Sequence, residues 1–349
     1  MKTRRIVGLG IVATGFIWFQ VAGRFEARRI DQQRETRAVS QAQQVQLRID
    51  SERLMNTVTT LADPKFEGRA AGSPGGLAAR AWIVDQFKSV GLQTVSGAYV
   101  HPFIYTRMTM NGRQDGEAAN VLGLCSGTDM KLPYFIVSAH YDNLGIRDGQ
   151  IYPGADDDAS GVAVVLELAA FCQKTPFRHS IVFAAFDAEE RGLQGAKAFL
   201  VKPPVPRERI ALNVNLDMVS RSDKREIFIA GTYPYSDLKA PLEEVARRAP
   251  ITVLFGHDKP VAVAGGVDDW TNQSDHGPFH AAKIPFVYFG VEDHVDYHKP
   301  TDTADKINRG FFVDVAETIL DALLALDRAK WGPGAEVRRS AKPEPGAEY

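Results

Sequence analysis

The sequence contains very little cysteine. Only Cys125 and Cys172 occur among its 349 residues, which is too few for a disulfide-rich scaffold or for a metal site built from thiolates. We expect both to be buried thiols, although one disulfide could form outside the cytosol. Any metal in this protein is therefore expected to be held by nitrogen and oxygen ligands.

The sequence also lacks an excess of charge of either sign. It has 41 Lys and Arg against 43 Asp and Glu, a formal net charge of −2, so no overall field favours nucleic acid or an anionic membrane surface. No nucleic-acid partner is expected, and the predicted partner is a peptide or small amide substrate. The glycine-rich stretch 68–75 follows no predicted strand and lacks the lysine of phosphate-binding loops, so it is predicted to be a structural turn.

The N-terminus carries a long apolar run. Residues 6–23 are almost entirely apolar and follow Lys2, Arg4 and Arg5, a pattern typical of export signals and membrane anchors. Eighteen residues lie at the lower limit for a membrane-spanning helix, and no clear cleavage site ends the run, so an uncleaved anchor is slightly preferred. Residues 1–37 are predicted to export the protein. It would face the periplasm or cell exterior if anchored there, and it would be secreted if the signal is cleaved.

The rest of the chain is predicted to consist of one domain and a C-terminal tail. Residues 332–349 are rich in proline, glycine and charge and are predicted to be a disordered tail. Residues 38–331 form the predicted domain. It would begin with a helix over residues 38–61 and continue with an amphipathic helix over residues 77–90 that ends at Gly91.

Short apolar runs alternate with helical segments from Asn120 onward. The predicted strands are residues 121–124, 134–139, 181–186, 212–216, 227–230 and 286–289. This alternation is typical of an α/β fold, a three-layer α/β/α sandwich with a mostly parallel, mixed central sheet. Because ligands in such folds bind at the carboxyl ends of strands, reactive residues are expected directly after the strands.

Polar residues follow three of these predicted strands. They are His140, Asp142, Glu189, Glu190 and Asp217. Alone, each motif has an ordinary structural explanation, a satisfied histidine or a solvated acidic turn. Adjacent residues leaving a strand point in different directions, so one glutamate could bind a metal while the other moves a proton at the substrate.

Three successive aspartates lie in the turn over residues 154–161. Helix capping would explain one carboxylate, because acidic groups are stabilised at helix N-termini. It does not explain three. Like charges packed together resist ionisation unless a cation is present, so a metal site is favoured.

A late histidine, His298, completes a possible ligand set. Together with His140, one aspartate of the turn, one glutamate and Asp217, it supplies two histidines and three carboxylates. Nitrogen and oxygen ligands without thiolates suit catalytic zinc. With one carboxylate shared, the set can hold two ions about 3.5–4 Å apart, so the expected cofactor is two Zn²⁺ ions.

The order of these motifs resembles the di-zinc aminopeptidase family, the bacterial leucyl aminopeptidase and aminopeptidase Y type of metallo-exopeptidases, whose fold glutaminyl cyclase shares. The resemblance covers roughly residues 54–307. It rests on His-x-Asp, Gly-Ala-Asp-Asp-Asp-Ala-Ser-Gly, Ala-Glu-Glu-x-Gly-Leu-x-Gly, Leu-Asp-Met and Tyr-His-x-x-x-Asp-Thr, in that order. The zinc ligands that it implies are His140 and Asp217 at one ion, Glu190 and His298 at the other, and Asp157 bridging both.

The same resemblance implies three catalytic roles. Glu189 would be the general base for attack of a zinc-bound hydroxide and would then protonate the leaving amine. Asp142 would orient His140, and the Tyr297 phenol would stabilise the tetrahedral oxyanion. The function implied is a metal-dependent exopeptidase, foremost an aminopeptidase that releases N-terminal residues from peptides.

Other functions stay open at this point. One alternative is a glutaminyl-peptide cyclase-like, single-zinc acyltransferase, and another is a carboxypeptidase or amidohydrolase of the same family. The intact aspartate turn and the double glutamate favour the peptidase. A non-enzymatic tethered binding module is the least favoured, because no implied ligand is missing.

One region of the predicted domain fits no pattern. Residues 225–274 match no motif, and residues 261–270 are predicted to be a flexible loop that forms a wall of the substrate pocket. Asp275 and His276 are predicted to be structural or to support the site. The remaining loop histidines, expected at the surface or in loops and not as ligands, are His257, His280 and His294.

Overall fold

The computed structural model describes residues 48–109 and 112–329. Residues 49–329 of this part belong to one unit. The predicted export segment 1–37, the start of the predicted first helix and the predicted tail 332–349 lie outside the described residues. Within the described ranges, no helix is both long enough and apolar enough to cross a membrane.

Helices cover much of the described chain. They are α1 (Ser51–Leu61), α2 (Pro74–Val90), α3 (Gly161–Lys174), α4 (Gln194–Val201), α5 (Lys239–Arg248), α6 (His276–Ala281) and α7 (Arg309–Arg328). Local sequence sets their ends. For example, the Ser73 side chain accepts a hydrogen bond from the Gly76 amide at the start of α2, and Gly91 ends this helix in the left-handed conformation, as predicted.

The central sheet is mixed. Its strands are β1 (Gln93–Thr94), β2 (Val100–Thr109), β3 (Gly112–Cys125), β4 (Tyr134–His140), β7 (Ile181–Phe186), β8 (Ile210–Leu216), β9 (Glu226–Ala230), β10 (Thr252–Phe255) and β11 (Phe286–Gly290). The order is β1-β3-β7-β4-β8-β11-β9-β10, and β2 pairs with β3. The four central strands β7, β4, β8 and β11 are parallel, whereas β3 and β9 join them antiparallel. A separate hairpin consists of β5 (Gly145–Arg147) and β6 (Gln150–Tyr152).

Helices cover both faces of this sheet. Alternate residues of β7 face opposite layers: Phe183 packs in the larger core with α1, α2, α3, α5 and α7, and Ala184 packs in the smaller core with α4 and α6. This alternation follows from the period of two along a strand. The predicted three-layer α/β/α sandwich is confirmed.

All the predicted strands are found; apart from the start of β3, their bounds agree within two residues, and 181–186 is matched at both ends. The prediction missed β2 and the first half of β3, because much of this long hairpin is exposed and its residues are too polar to form an apolar run. It also missed the short strands β1 and β10 and the β5–β6 hairpin. The missed strands lie mostly at the edges of the sheet.

The two cysteines form a disulfide, so the expectation of buried thiols is wrong. Cys125 ends β3, Cys172 lies in the last turns of α3, and their Cα atoms are 6.5 Å apart. Both are buried in the core between the sheet and α3. The two cysteines are separated by 47 residues in sequence. They meet only because α3 packs on the end of β3, and residue spacing cannot reveal this packing.

Candidate active site

The predicted site residues meet at one edge of the sheet. His140 is the last residue of β4, the turn Glu189–Arg191 follows β7, and Asp217 directly follows β8. The loop after β11 carries His298. Because these strands are parallel neighbours, their carboxyl ends lie side by side, as the doubly wound pattern requires.

Asp157 lies between the two histidines. His140 Nε2 is 3.2 Å from Asp157 Oδ1 and 3.5 Å from Asp217 Oδ1. His298 Nε2 is 3.1 Å from Asp157 Oδ2 and 3.2 Å from Glu190 Oε1. Each oxygen of Asp157 therefore faces a different histidine, and each histidine also faces a second carboxylate, which divides the residues into two groups that share Asp157.

These distances fit metal ligation. Ligand atoms about 2.0–2.1 Å from a tetrahedral zinc ion lie about 3.3 Å from one another, and the four contacts above range from 3.1 to 3.5 Å. Asp157 Oδ2 and Glu190 Oε1 are also buried without a hydrogen bond of acceptable geometry. Because a buried carboxylate oxygen without a donor is costly, these lone pairs are suited to a cation.

The electrostatics of the site likewise favour positive charge. Burial alone would lower the pKa of His298, but Asp157 and Glu190 raise it to about 10. In turn, burial would raise the pKa of Asp157, but His140 and His298 hold it below its ordinary value. The carboxylates thus stabilise the protonated, positively charged histidines, and a divalent ion could take the place of these protons.

The two neighbours of Asp157 do not offer free oxygens. Asp158 has ligand atoms within 4.8 Å of those of His140 and Asp217, but it accepts hydrogen bonds from the amides of His140, Gly161 and Met218. Asp156 accepts from the amide and hydroxyl of Ser220. Of the three successive carboxylates, the structure turns the middle one toward the histidines.

The turn that carries Asp157 is fixed from two sides. The carboxylate of Asp302 accepts hydrogen bonds from the amides of Asp156 and Asp157. Below the turn, Arg69 is completely buried and its guanidinium is held by main-chain carbonyls. These carbonyls belong to Leu61, Tyr141, Pro153 and Gly154. The glycine-rich stretch 68–75, predicted to be a structural turn, thus places a cation behind the acidic turn, a contribution that the sequence did not reveal.

Asp142 supports the site in two ways. Its main-chain carbonyl lies 3.1 Å from His140 Nδ1, whereas its carboxylate is 3.8 Å from the same nitrogen. A proton on Nδ1 leaves Nε2 of His140 free to ligate a metal. The carboxylate itself accepts hydrogen bonds from the amides of Glu189 at 2.9 Å and Glu190 at 3.3 Å. Asp142 thus orients His140 mainly through its backbone and fixes the double-glutamate turn through its side chain.

Glu189 and Tyr297 face the same cavity. This cavity of about 320 Å³ is lined by both residues and by the candidate ligands His140, Asp157, Glu190, Asp217 and His298. Burial, with further contributions from nearby carboxylates, holds the pKa of Glu189 well above its ordinary value although His140 lowers it. The Tyr297 ring stacks on His298, with ring centroids 3.9 Å apart. The arrangement puts a proton acceptor and a phenol beside the candidate ligands.

Part of the unplaced region contributes to this cavity. Trp270, the last residue of the predicted wall 261–270, lines it together with Gln273. His257 lies in a loop and in no group of candidate ligands among the described residues, as expected, but it is only 7% exposed, because Trp270 stacks on it with ring centroids 3.5 Å apart. Its burial could not be predicted because Trp270 covers it only after folding.

The remaining histidines have structural contacts. His294 lies 3.1 Å from an oxygen of Asp156, and His280 lies 2.8 Å from the Tyr235 hydroxyl. His276 contacts the Trp270 carbonyl, and its neighbour Asp275 is completely buried. None of these residues belongs to a group of candidate metal ligands among the described residues.

Sequence motifs also missed several cavity residues. Met218, Tyr288, Val291 and Asp293 line the cavity. The position of Met218 directly after a predicted ligand was the only available signal. Asp293 lies in the loop before His298 and carries a charge, but an isolated aspartate in a loop is an ordinary surface feature.

Comparison with known proteins gives consistent matches. Aminopeptidase YwaD of Bacillus subtilis (strain 168) is 30% identical over 207 residues, which cover 54% of this chain and 40% of the relative. The chain spans about half the length of the curated relatives that it matches.

Solved structures share the fold. The aminopeptidase from Aneurinibacillus sp. strain AM-1 superposes with a TM-score of 0.63 at 21% identity, covering 79% of this chain and 93% of that one. The glutaminyl cyclase of Bacteroides thetaiotaomicron superposes with a TM-score of 0.62 at 17% identity, covering 79% and 98%. At these identities, the likeness establishes the fold alone.

A family model covers the site. Residues 120–323 match the model of peptidase family M28. This segment is more than half of the chain, and it contains His140, Asp157, Glu189, Asp217 and His298. The chain therefore belongs to peptidase family M28.

Proposed function

We propose that this protein is an aminopeptidase that holds two zinc ions, with Asp157 shared between them. The observation that carries the proposal is the position of Asp157, whose two carboxylate oxygens face two different histidines at 3.2 and 3.1 Å. His140 and Asp217 would complete one zinc site, and Glu190 and His298 the other. Family membership and the similarity to an aminopeptidase support the same function.

The chain's own residues supply the proton transfers. When bound, zinc supplies an acidified water as nucleophile and polarises the scissile carbonyl. Glu189, which lines the cavity, would take a proton from the attacking water and pass it to the leaving amine. A positioned carboxylate suits both steps, because burial and the nearby carboxylates raise its pKa and so make it a better proton acceptor.

Two residues would stabilise the reacting geometry. Tyr297 keeps its proton, because burial and the surrounding carboxylates raise its pKa, so its hydroxyl can donate a hydrogen bond to the developing oxyanion. Asp142 would hold the Glu189 main chain in place through the 2.9 Å hydrogen bond to its amide. Neither residue needs to change protonation during the reaction.

The site geometry speaks against a single-zinc cyclase. One zinc would occupy only one of two groups of candidate ligand atoms, the first formed by His140, Asp217 and Asp157 Oδ1 and the second by His298, Glu190 and Asp157 Oδ2. An ion in the second group would satisfy Asp157 Oδ2 and Glu190 Oε1, the two buried oxygens without a donor, so the case for a second ion rests on the 3.2 and 3.5 Å contacts of His140. The paired groups therefore favour the hydrolase.

We also propose that the protein acts outside the cytoplasm, on peptides or small amides. The disulfide between Cys125 and Cys172 supports this location, because disulfides persist in oxidising compartments. Cell fractionation of the full chain should place it in the membrane or among exported proteins. Recovery in the cytosol with both cysteines reduced would contradict the location.

The function is tested by metal content and hydrolysis together. The full chain, purified in detergent, is expected to carry about two zinc ions per chain and to hydrolyse leucyl-4-nitroanilide. Chelation should abolish the activity. No more than one tightly bound ion and no hydrolysis would overturn the proposal, and cyclisation of an N-terminal glutaminyl peptide would replace it with the cyclase alternative.

A further inference from the structure

The cavity holds one carboxylate that neither metal ligation nor proton transfer uses. Asp293 lines the cavity beside Glu189, Tyr297 and His298. It lies in the loop that connects β11 to His298. Among the described residues, no hydrogen bond or ion pair involves the Asp293 side chain. Its carboxylate is exposed to solvent in the cavity, so a ligand that enters the cavity can reach it.

The surroundings of Asp293 make a positive ligand favourable. Partial burial raises its pKa, His298 lowers it, and Glu292, Asp157 and Asp217 raise it further. Asp293 thus lies within electrostatic reach of the metal centre, and most of the charges that act on it are negative. Zinc would neutralise the ligand carboxylates, whereas the solvent-exposed Asp293 would keep its negative charge.

The other lining residues define which end of a peptide fits. Of the described residues that line the cavity, none is lysine or arginine. The α-carboxylate of a carboxypeptidase substrate would therefore find no side-chain cation except the histidines already assigned to metal. An N-terminal ammonium would find Asp293.

We propose that Asp293 binds the ammonium group of the substrate's first residue; this inference rests on the proposed aminopeptidase function. A lysine or arginine side chain would offer the same chemistry. The α-ammonium is favoured, because Leu193, Met218 and Trp270 place apolar side chains in an otherwise mostly polar lining, and an uncharged first side chain can pack against them. Asp293 is thus a substrate-binding residue that selects N-termini.

Binding of two matched inhibitors tests this without turnover. Leucine hydroxamate and 4-methylpentanohydroxamate share a metal-binding group and a side chain, and only the first has an α-ammonium. By calorimetry on the zinc-loaded chain, Asp293→Asn should weaken leucine hydroxamate about tenfold, the size of one charge-assisted hydrogen bond. The affinity for the deaminated analogue should not change.

Asp223→Asn is the matched control. Asp223 is exposed and lines the neighbouring cavity, which Asp293 borders, but it does not line the active-site cavity. The control should bind both hydroxamates as the wild type does. Zinc content and melting temperature should be unchanged in both variants, which would exclude a general structural effect. Equal affinities of wild type and Asp293→Asn for leucine hydroxamate would overturn the proposal.

Kinetics distinguish an α-ammonium from a basic side chain as the group that Asp293 binds. They also test the role of Asp293 separately from the proposed aminopeptidase function. If Asp293 binds the α-ammonium, Asp293→Asn should raise KM about tenfold for leucyl- and lysyl-4-nitroanilide alike, with kcat little changed. A rise confined to the lysyl substrate would assign Asp293 to a basic side chain. If the wild type hydrolyses both substrates and Asp293→Asn has the same KM values, only the role of Asp293 is rejected. A wild type that binds neither hydroxamate would reject the metal centre and this inference together.

Discussion

The two ends of β7 both bury an aspartate close to a histidine, but the two aspartates differ in their partners. At the N-terminal end, Asp327 accepts hydrogen bonds from the amides of Arg178 and His179, both 2.9 Å long, and lies 2.8 Å from His179 Nδ1. At the carboxyl end, Asp157 contacts two histidines, yet its Oδ2 receives no hydrogen bond of acceptable geometry.

The difference separates stability from function. Protein donors satisfy Asp327, so its contacts hold α7 to the start of β7. Asp157 has lone pairs available for a ligand from solution. Since the disulfide also lies at the N-terminal end, where Cys125 pairs with Ile181, we expect substitutions there to change stability and substitutions at the carboxyl end to change activity.

The largest effect is expected at the carboxyl end, from Glu189→Gln. The substitution removes the proton shuttle but no proposed ligand, so kcat should fall about 10³-fold. Zinc content and the free energy of unfolding should stay close to those of the wild type. Steady-state kinetics and metal analysis of the same preparation measure both quantities.

Glu190→Gln is the companion variant. Glu190 Oε1 lies 3.2 Å from His298 Nε2, so this variant should lose bound zinc as well as activity. If Glu189→Gln loses zinc and Glu190→Gln keeps it, the roles of the two glutamates are reversed.

The next effect is expected at the opposite end, from removal of the disulfide. The bridge closes a loop across a sequence separation of 47 residues. In the chain-entropy description, such a bridge lowers the entropy of the unfolded chain, so replacing both cysteines by alanine should lower the free energy of unfolding by about 4 kcal/mol. Urea denaturation measures the loss. The variant's kcat at saturating zinc should match the wild type, and a large fall in kcat with unchanged stability would break the comparison.

A smaller loss of stability is expected from Asp327→Asn. The new amide would turn a donor toward the Arg178 and His179 amides, which already donate to this site. Leaving one buried donor unpaired should cost about 2 kcal/mol of unfolding free energy. Hydrolysis of leucyl-4-nitroanilide should be unaffected under conditions where both proteins are folded.

Asp327→Asn also tests the direction in which stability changes with pH. Burial alone would raise the pKa of Asp327, but the hydrogen bonds from His179 and from the Arg178 amide lower it overall. Its stabilising contribution is therefore complete above the ordinary pKa of about 3.9 and disappears as pH falls through the lower folded value. Melting curves of wild type and variant should differ at pH 6 and converge in strong acid. A difference that grows in acid would mean that the pKa shift has the opposite sign.

The sequence predicted the features that depend on residue type and order. Apolar runs located the central strands, because a strand buried on both faces has few polar positions. The rule that ligands bind at strand ends then selected His140, Glu189 and Asp217 from many polar residues. The structure brings these residues together around Asp157.

The features that depend on packing were not predictable in this way. The exposed β2–β3 hairpin has the polarity of a loop, and the disulfide required knowing that α3 lies on β3. The carboxylate of Asp142 was expected to face His140, but it mainly accepts hydrogen bonds from the amides of Glu189 and Glu190. The shape of the strand–turn junction decides such contacts, and sequence spacing does not encode it.

The buried Arg69 gives the acidic turn a positive charge that does not depend on bound metal. Its guanidinium keeps its proton at any physiological pH, and it is bound by four main-chain carbonyls and not by an ion. The acidic turn therefore keeps a counter-charge before any zinc arrives. We therefore expect the acidic turn to be folded in the zinc-free protein, so that zinc can bind after folding is complete.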